Sequence, residues 1–383
     1  MSGKKNKKKI RAKFKQHYDD RTRQNDLTRD FADNEYDDDI DQRERVSGKG
    51  KLARKRTILG EEIETREGTE VLLDIDESKC LPGLVLSVHG LNSRVEAENG
   101  RVYQCATRKL LKTISTDQRH IVVAGDRVQF IPASDQSDGG LIVRIDPRTG
   151  TISRTSKHRQ HVIAANIDQM IIVGSAAMPD LKPHLIDRLL LTAEKSDITP
   201  IVCINKLDLI EPASLQPIVG VFGQMGYEIH QVSATRNWNI EPLKQLLYDK
   251  RTVVVGQSGV GKSSLLNAIQ PGLGLKVAAV SEENQKGKHT TTSAKLIKLD
   301  FGGYIVDTPG VRQFELWDVI ADEVAGFFRE LRPFAAKCRF PNCTHTHEQD
   351  CSVKNAVADG DLDMRRYESY CQIREDCESA EAK

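Results

Sequence analysis

Gly256-Gln257-Ser258-Gly259-Val260-Gly261-Lys262-Ser263 is the stretch on which the reading of this 383-residue chain turns. Gly-x-x-x-x-Gly-Lys-Ser is the phosphate loop. Its backbone N–H groups close round phosphate oxygens, the lysine reaches the outer phosphates, and the serine hydroxyl holds Mg²⁺. The flanks agree: Thr252-Val253-Val254-Val255 reads as a buried strand entering the loop, and Ser264-Leu265-Leu266-Asn267-Ala268-Ile269 as a helix leaving it. The stretch predicts an α/β sheet with a nucleoside-triphosphate site, in which Gln257, Ser258, Gly259, Val260 and Ser264 also line the phosphates.

The base is read upstream. Ile201-Val202-Cys203-Ile204 is a short apolar run ending in Asn205-Lys206-Leu207-Asp208, and ligands of open α/β sheets sit at the carboxyl ends of strands. A carboxylate there, Asp208, accepts two hydrogen bonds from guanine, from its ring N–H and its exocyclic amine. Adenine offers neither in that place, and a site built to bond such groups rejects the analogue lacking them by about 10⁴-fold. Asn205 can bridge base and phosphate loop while the Lys206 stem covers the ring. Ser233-Ala234-Thr235, after the apolar run Tyr227–Val232, resembles a second base-contacting loop. An adenosine-nucleotide kinase or ATPase is disfavoured by the same residues.

Tyr304-Ile305-Val306-Asp307 runs into Thr308-Pro309-Gly310, an Asp-x-x-Gly element in which Asp307 serves Mg²⁺ through water and the Gly310 N–H senses the γ-phosphate. Between this strand and the phosphate loop lies His289-Thr290-Thr291-Thr292; Thr291 is the expected switch hydroxyl on Mg²⁺, beside Ser263. The order of these elements is unusual for a GTPase, because the base-reading motifs precede the phosphate loop. A parallel sheet tolerates such circular permutation, since chain ends lie at the surface and each strand keeps its neighbours.

After the switch comes Cys338-x₄-Cys343-x-His345-x₅-Cys351. Three thiols and an imidazole in one polar segment fit a closed tetrahedral Cys₃His zinc site, with neighbouring His347 the alternative to His345. Four protein ligands leave no open position, so the metal is expected to be structural. Toward the other end, short alternating runs (Leu84–Val88, Arg94–Ala97, Val102–Ala106, Ile121–Val123, Arg127–Ile131, Leu141–Ile145) separated by glycine-rich turns predict a closed barrel of the OB type, an SH3-like barrel being the alternative. Arg94, Arg101, Arg108, Lys109, Lys112 and Arg119 dress it in positive charge compatible with RNA.

An OB-like barrel, a permuted GTPase and a Cys₃His segment, in that order, together resemble the ribosome small subunit-dependent GTPase A family, over roughly residues 80–375. Asn205–Asp208, Gly256–Ser264, His289–Thr292, Asp307–Gly310 and the cysteine segment carry the likeness, and Asn166-Ile167-Asp168 also fits it. The resemblance implies a GTP-hydrolysing factor in late maturation of the small ribosomal subunit. It implies turnover stimulated by that subunit, with the subunit and its rRNA as partners. The alternative is an RNA-binding structural module or chaperone in which GTP is a ligand and hydrolysis incidental. Many GTPases orient the attacking water with a glutamine after Asp-x-x-Gly; here Val311 stands there, which leaves His289 as the expected catalytic group beside Lys262 and Thr291.

No run approaches the ~20 apolar residues of a membrane span, no secretory signal opens the chain, and eight cysteines make no disulfide framework at this length. Reduced thiols point to the cytoplasm, and nothing suggests an obligate dimer, so a monomer is expected. The net charge of +1 conceals segregation: a basic start containing Lys4–Lys9, an acidic block around Asp37–Asp39, then Lys49–Arg56. Such blocks bury little, and the basic arm can neutralise phosphates. The expected division is a disordered charged extension over 1–70, the OB barrel over 71–150, the circularly permuted P-loop GTPase over 151–316 and a helical zinc-binding domain over 317–383. Helices are expected over 183–196, 241–249, 263–270 and within Val353–Glu378, the first packing Leu185, Leu189 and Ala193 on one face.

Overall fold

The computed structural model describes residues 8–13, 55–65, 68–73, 75–108, 111, 121–134, 137–156, 159–273, 294–307 and 319–381. They fall into two compact units, Met1–Asn166 with Ser293–Leu296 and Ile167–Thr292 with Ile297–Lys383.

The first unit opens with β1 (Lys8–Lys13), β2 (Lys55–Thr65) and β3 (Gly68–Leu73), an antiparallel sheet in which Ile10 lies opposite Ile58 and Glu62 opposite Val71. These strands stand in the extension expected to be disordered. Strand formers Thr57, Ile58, Ile63, Thr65, Thr69 and Val71 are interleaved there with the charge blocks.

The barrel is built from β4 (Leu81–His89), β5 (Asn92–Ala97), β6 (Val102–Thr107), β7 (Arg127–Pro132) and β8 (Gly139–Ile145). Its order is β4-β5-β6-β8-β7, β7 returns to β4, and only the β6–β8 pair is parallel. Closure removes free edges and wraps Val85, Val95, Tyr103, Cys105, Phe130 and Ile142 into one core. Ile121–Val123, expected as a strand, makes no ladder; its neighbour Ala124 forms only an isolated bridge to Ala164. The reason is local. Buried Asp126 takes the Val123 N–H at 2.8 Å and is itself held by Arg148 Nε at 2.7 Å, so the segment folds round a carboxylate. A hairpin, β9 (Ile152–Ser156) and β10 (Arg159–Ala164), follows. Asn166 closes the unit: its amide donates to the Gly125 carbonyl at 2.9 Å, and its Oδ1 accepts from the Thr149 N–H at 3.1 Å.

The second unit holds a parallel sheet ordered β13-β12-β11-β14-β16, from β11 (Gln169–Ser175), β12 (Thr199–Asn205), β13 (Glu228–Gln231), β14 (Arg251–Val255) and β16 (Tyr304–Asp307); β15 (Lys295–Lys298) precedes the last. The chain thus starts at the central strand β11, runs outward through β12 to β13, and returns to the centre at β14 beside β11. Asp168 fastens β11 to β14 by accepting from the Arg251 N–H at 2.7 Å and pairing with its guanidinium at 2.8 Å. Helices α1 (Pro183–Lys195), α2 (Gln216–Gln224), α3 (Ile240–Leu246) and α4 (Lys262–Ile269) connect the strands, and α5 (Val324–Phe327), α6 (Arg332–Ala335), α7 (Ser352–Ala358) and α8 (Met364–Glu381) follow. Proline suits the first turn of α1, where its missing N–H would have no partner. Helix α1 buries Ile186, Asp187, Leu189, Leu190, Leu191 and Ala193, far more than one stripe, while Leu185 is only partly buried. Its second face meets the C-terminal helices, whose core includes Leu191 with Phe328, Leu331, Tyr370 and Ile373.

Candidate functional site

The phosphate loop joins β14 to α4. Two of its glycines are fixed by what they touch. At Gly256, with φ +141°, a Cβ would stand 2.1 Å from the Val173 carbonyl oxygen; at Gly261, with φ +91°, it would stand 2.5 Å from Asn205 Nδ2. No side chain fits either place. Val260 is buried, Ser258 is exposed, and Gln257, Gly259, Ser263 and Ser264 are partly buried. The Lys262 ammonium lies across the loop, donating to the carbonyls of Gly256 and Gln257 at 2.7 Å each. Asp307 ends β16, whose register sets Val306 beside Val253, so it stands at the same carboxyl edge as the loop. Lys182, Leu185, Gly256, Gln257 and Val260 line a shallow cleft between α1 and the phosphate loop.

The loops expected to read the base sit at the carboxyl ends of β12 and β13. Asn205 is buried and joins them to the phosphate loop: its Nδ2 donates to the Val260 carbonyl at 3.0 Å, and its Oδ1 accepts from the Ala234 N–H at 3.1 Å. Lys206 takes the left-handed conformation, φ +64°, and its ammonium bonds the Met178 carbonyl. Leu207 is buried and its N–H bonds the Val232 carbonyl at 3.0 Å, so it anchors the turn. The Asp208 carboxylate accepts from Ser233 Oγ at 2.5 Å and from Thr235 Oγ1 at 3.3 Å. The Ser233 hydrogen bond, with lesser help from Thr235 and Arg236, holds the Asp208 carboxyl below its ordinary range. A charged acceptor at a strand end, flanked by a buried asparagine, can take paired N–H donors from a purine edge.

Two partners here escape the sequence reading. Thr235 was visible in Ser233-Ala234-Thr235, but its reach to Asp208 depends on how the loop folds. The Met178 carbonyl carries no sequence signal. His289, Thr291, Gly310 and Val311 lie outside the described residues, as do Lys109, Lys112 and Arg119 of the barrel.

The cysteine segment forms one group. The ligand atoms of Cys338, Cys343, His345 and Cys351 lie within 4.8 Å of one another. Metal–sulfur bonds of about 2.3 Å at tetrahedral angles put sulfurs about 3.8 Å apart. Cys338 Sγ and Cys351 Sγ are 3.8 Å apart, and His345 Nδ1 is 3.4 Å from each. The donor set therefore fits one tetrahedral ion. His347 stands outside it, its Nδ1 bonded to Thr346 Oγ1 at 3.1 Å. Burial raises the Cys338 thiol, but N–H groups of Val353 and Ser352 outweigh it and leave the thiol below its usual value. The surrounding turn is pinned: Tyr367 and Tyr370 hydroxyls donate to the His345 and Thr344 carbonyls at 2.7 and 2.5 Å. Burial would raise the Glu348 carboxyl, yet bonds from the Thr344 hydroxyl and the Thr344 and Thr346 N–H groups pull it down to about 2.

A family model described as RsgA GTPase matches residues 145–317. Relatives named small ribosomal subunit biogenesis GTPase RsgA include one from Gemmatimonas aurantiaca, 37% identical over 77% of this chain and 96% of its own length. Another, from Thermotoga petrophila, is 38% identical over 76% and 95%. Among solved structures, YjeQ from Thermotoga maritima superposes with a TM-score of 0.65 at 34% identity, covering 78% of this chain and 98% of that one. YloQ, described as a circularly permuted GTPase, gives 0.64 at 29%, covering 80% and 98%.

Proposed function

This chain belongs to the RsgA GTPase family, and from that premise we propose that it hydrolyses GTP to GDP and phosphate as a biogenesis factor of the small ribosomal subunit. The observation that carries the nucleotide assignment is the pair of hydrogen bonds made by Asn205, which ties the loop at Ala234 to the phosphate loop at Val260. A base held at Asp208 is thereby in fixed register with phosphates held at Gly256–Ser264.

Asn205, Lys206, Asp208, Ser233 and Ala234 bind the guanine side of the nucleotide, and Gly256 to Ser264 with Asp307 and Gly310 bind the phosphate side. Guanine donates its ring N–H and amine to Asp208, and the Lys206 stem covers its face. The phosphate loop's N–H groups take the phosphate oxygens, and the Lys262 ammonium moves from loop carbonyls to the outer phosphates, where it offsets charge growing on the leaving oxygen. Ser263 and Asp307, with Thr291, would hold Mg²⁺, which neutralises the β- and γ-oxygens when bound. His289 is assigned the alignment of attacking water, because Val311 cannot hydrogen-bond. Cys338, Cys343, His345 and Cys351 would hold one zinc ion that fixes the segment's shape; with four protein ligands it has no open position.

The reading implies stimulation by the small subunit, contact with its rRNA, a cytoplasmic setting and a monomer. Among the described residues no helix is long and apolar enough to cross a membrane. GTP turnover of the purified chain, measured alone and with small subunits, large subunits or intact ribosomes, tests it. Acceleration by small subunits is the expected result. An unchanged rate would leave GTP as a ligand with incidental turnover.

A further inference from the structure

The Asp208 carboxylate has room for four hydrogen bonds, and among the described residues two side chains, Ser233 and Thr235, bond it. An ionised carboxylate presents about two lone pairs on each oxygen. Ser233 Oγ occupies one on Oδ1 at 2.5 Å, and Thr235 Oγ1 faces Oδ2 at 3.3 Å. Ser233 is wholly buried, and its oxygen also accepts the Arg236 N–H at 3.1 Å, so its single proton is committed to the carboxylate. Thr235 Oγ1 lies 3.1 Å from Ser233 Oγ as well. Of its two possible acceptors the charged one is the stronger.

We propose that Thr235 is a specificity-determining positioning residue, locking the second oxygen of Asp208 so that both oxygens meet a base carrying a ring N–H beside an exocyclic amine. This rests on the guanine reading of Asp208 given above. The terminal torsion of aspartate is soft. With Ser233 alone, the carboxylate is pinned at one oxygen and swings about that bond, keeping one contact to the base and losing the other. Hypoxanthine, which has the ring N–H and no amine, needs one contact. Guanine needs two. Ser233 therefore serves both bases, whereas Thr235 separates them.

Thr235 is exposed, which lets it be changed without opening the core. Equilibrium binding of GTP, ITP and ATP to the full chain and to Thr235→Val and Thr235→Ser gives the test. Loss of one bond to a charged group corresponds to about a tenfold loss of affinity. GTP affinity should fall by about that factor in Thr235→Val, with ITP affinity nearly unchanged, and Thr235→Ser should restore the wild-type GTP-to-ITP ratio. Equal losses for GTP and ITP, or no loss for either, overturn the role of Thr235. A wild-type chain that binds ATP as tightly as GTP would instead remove the guanine site itself.

Discussion

Asp187 and Arg366 meet at 2.6 Å, the first side chain with no solvent exposure and the second with 2%. Asp187 belongs to α1 of the parallel sheet and Arg366 to α8, so the pair is a buried weld between the sheet and the C-terminal helices. The contact is an ion pair without hydrogen-bond geometry, and the hydrogen bonds come from the groups around it. Arg365 Nη1 and Ser369 Oγ donate to Asp187 Oδ2 at 2.7 and 2.6 Å, and Arg366 Nε donates to Glu330 at 2.6 Å while its guanidinium stacks on Phe328. Further along α1, Glu194 holds Arg329 and Arg332, and Lys195 pairs with Glu323.

Removing one partner of a buried pair strands the other, at a cost of about 3–5 kcal/mol. Asp187→Asn or Arg366→Met should each lose about that much stability in urea unfolding. The double substitution Asp187→Asn with Arg366→Met should be less damaged than the sum of the two singles. A loss under about 1 kcal/mol in either single would show that the weld adds specificity and little strength.

Asp208→Asn should weaken GTP binding by about 100-fold or more, since an acceptor pair becomes one donor and one acceptor. The same change suits xanthine, whose carbonyl replaces the amine, so XTP affinity should rise relative to GTP. Competition binding of the two nucleotides checks this. Unchanged GTP affinity would take Asp208 out of the base site.

The depressed Asp208 carboxyl fixes the sign of a pH effect. A group whose pKa is lowered stays charged above its shifted value and loses its contribution only as pH falls through it. Guanine affinity should therefore persist through the ordinary carboxylate range and fall below it. Because the Ser233 hydrogen bond is the leading cause of the shift, Ser233→Ala should move that acid limb to higher pH in GTP titrations.

Lys262→Ala removes the ammonium expected on the outer phosphates and should lower turnover by about 10²-fold or more, with circular dichroism and metal content unchanged. Wild-type turnover in this variant would refute the phosphate-loop assignment.

Cys343→Ser should leave the chain with less than one zinc per molecule and its 338–351 segment open to hydrogen exchange, because binding energy at such sites is folding energy. His347→Ala should keep full metal content, as His347 lies outside the cluster. Nucleotide binding should survive Cys343→Ser, whereas small-subunit-stimulated turnover should fall. Full stimulation without zinc would limit the metal to local folding.

What could be read in the chain depended on how locally each feature is encoded. The phosphate loop, Asn205–Asp208 and the cysteine segment are short runs whose residue types do the chemistry themselves, and the strands β11, β12, β14 and β16 are continuous apolar runs. Helix α2, Gln216–Gln224, has almost no apolar stripe to read, because only Phe222 of its residues is buried. Asp187 was missed for the opposite reason: on a helix read as one-sided, an aspartate belongs to water, and only the arrival of Arg365 and Arg366 some 180 residues later gives it a partner. Asn166 and Asp168 stood out in the sequence, but their partners Gly125 and Arg251 are equally nonlocal.

Synthesis of the permuted sheet starts at its central strand and finishes one flank before the other is begun. Strands β11, β12 and β13 leave the ribosome as a parallel trio, and β11, buried along its whole length in the finished protein, has no partner on its second edge until Arg251–Val255 is made. An apolar edge left open recruits foreign strands, and such intermediates are where long chains aggregate. The nascent protein therefore carries the 205–208 and 233–235 loops through that interval before β14 is made. The Asn205–Val260 hydrogen bond that joins the two loops forms only after β14 has taken its place beside β11.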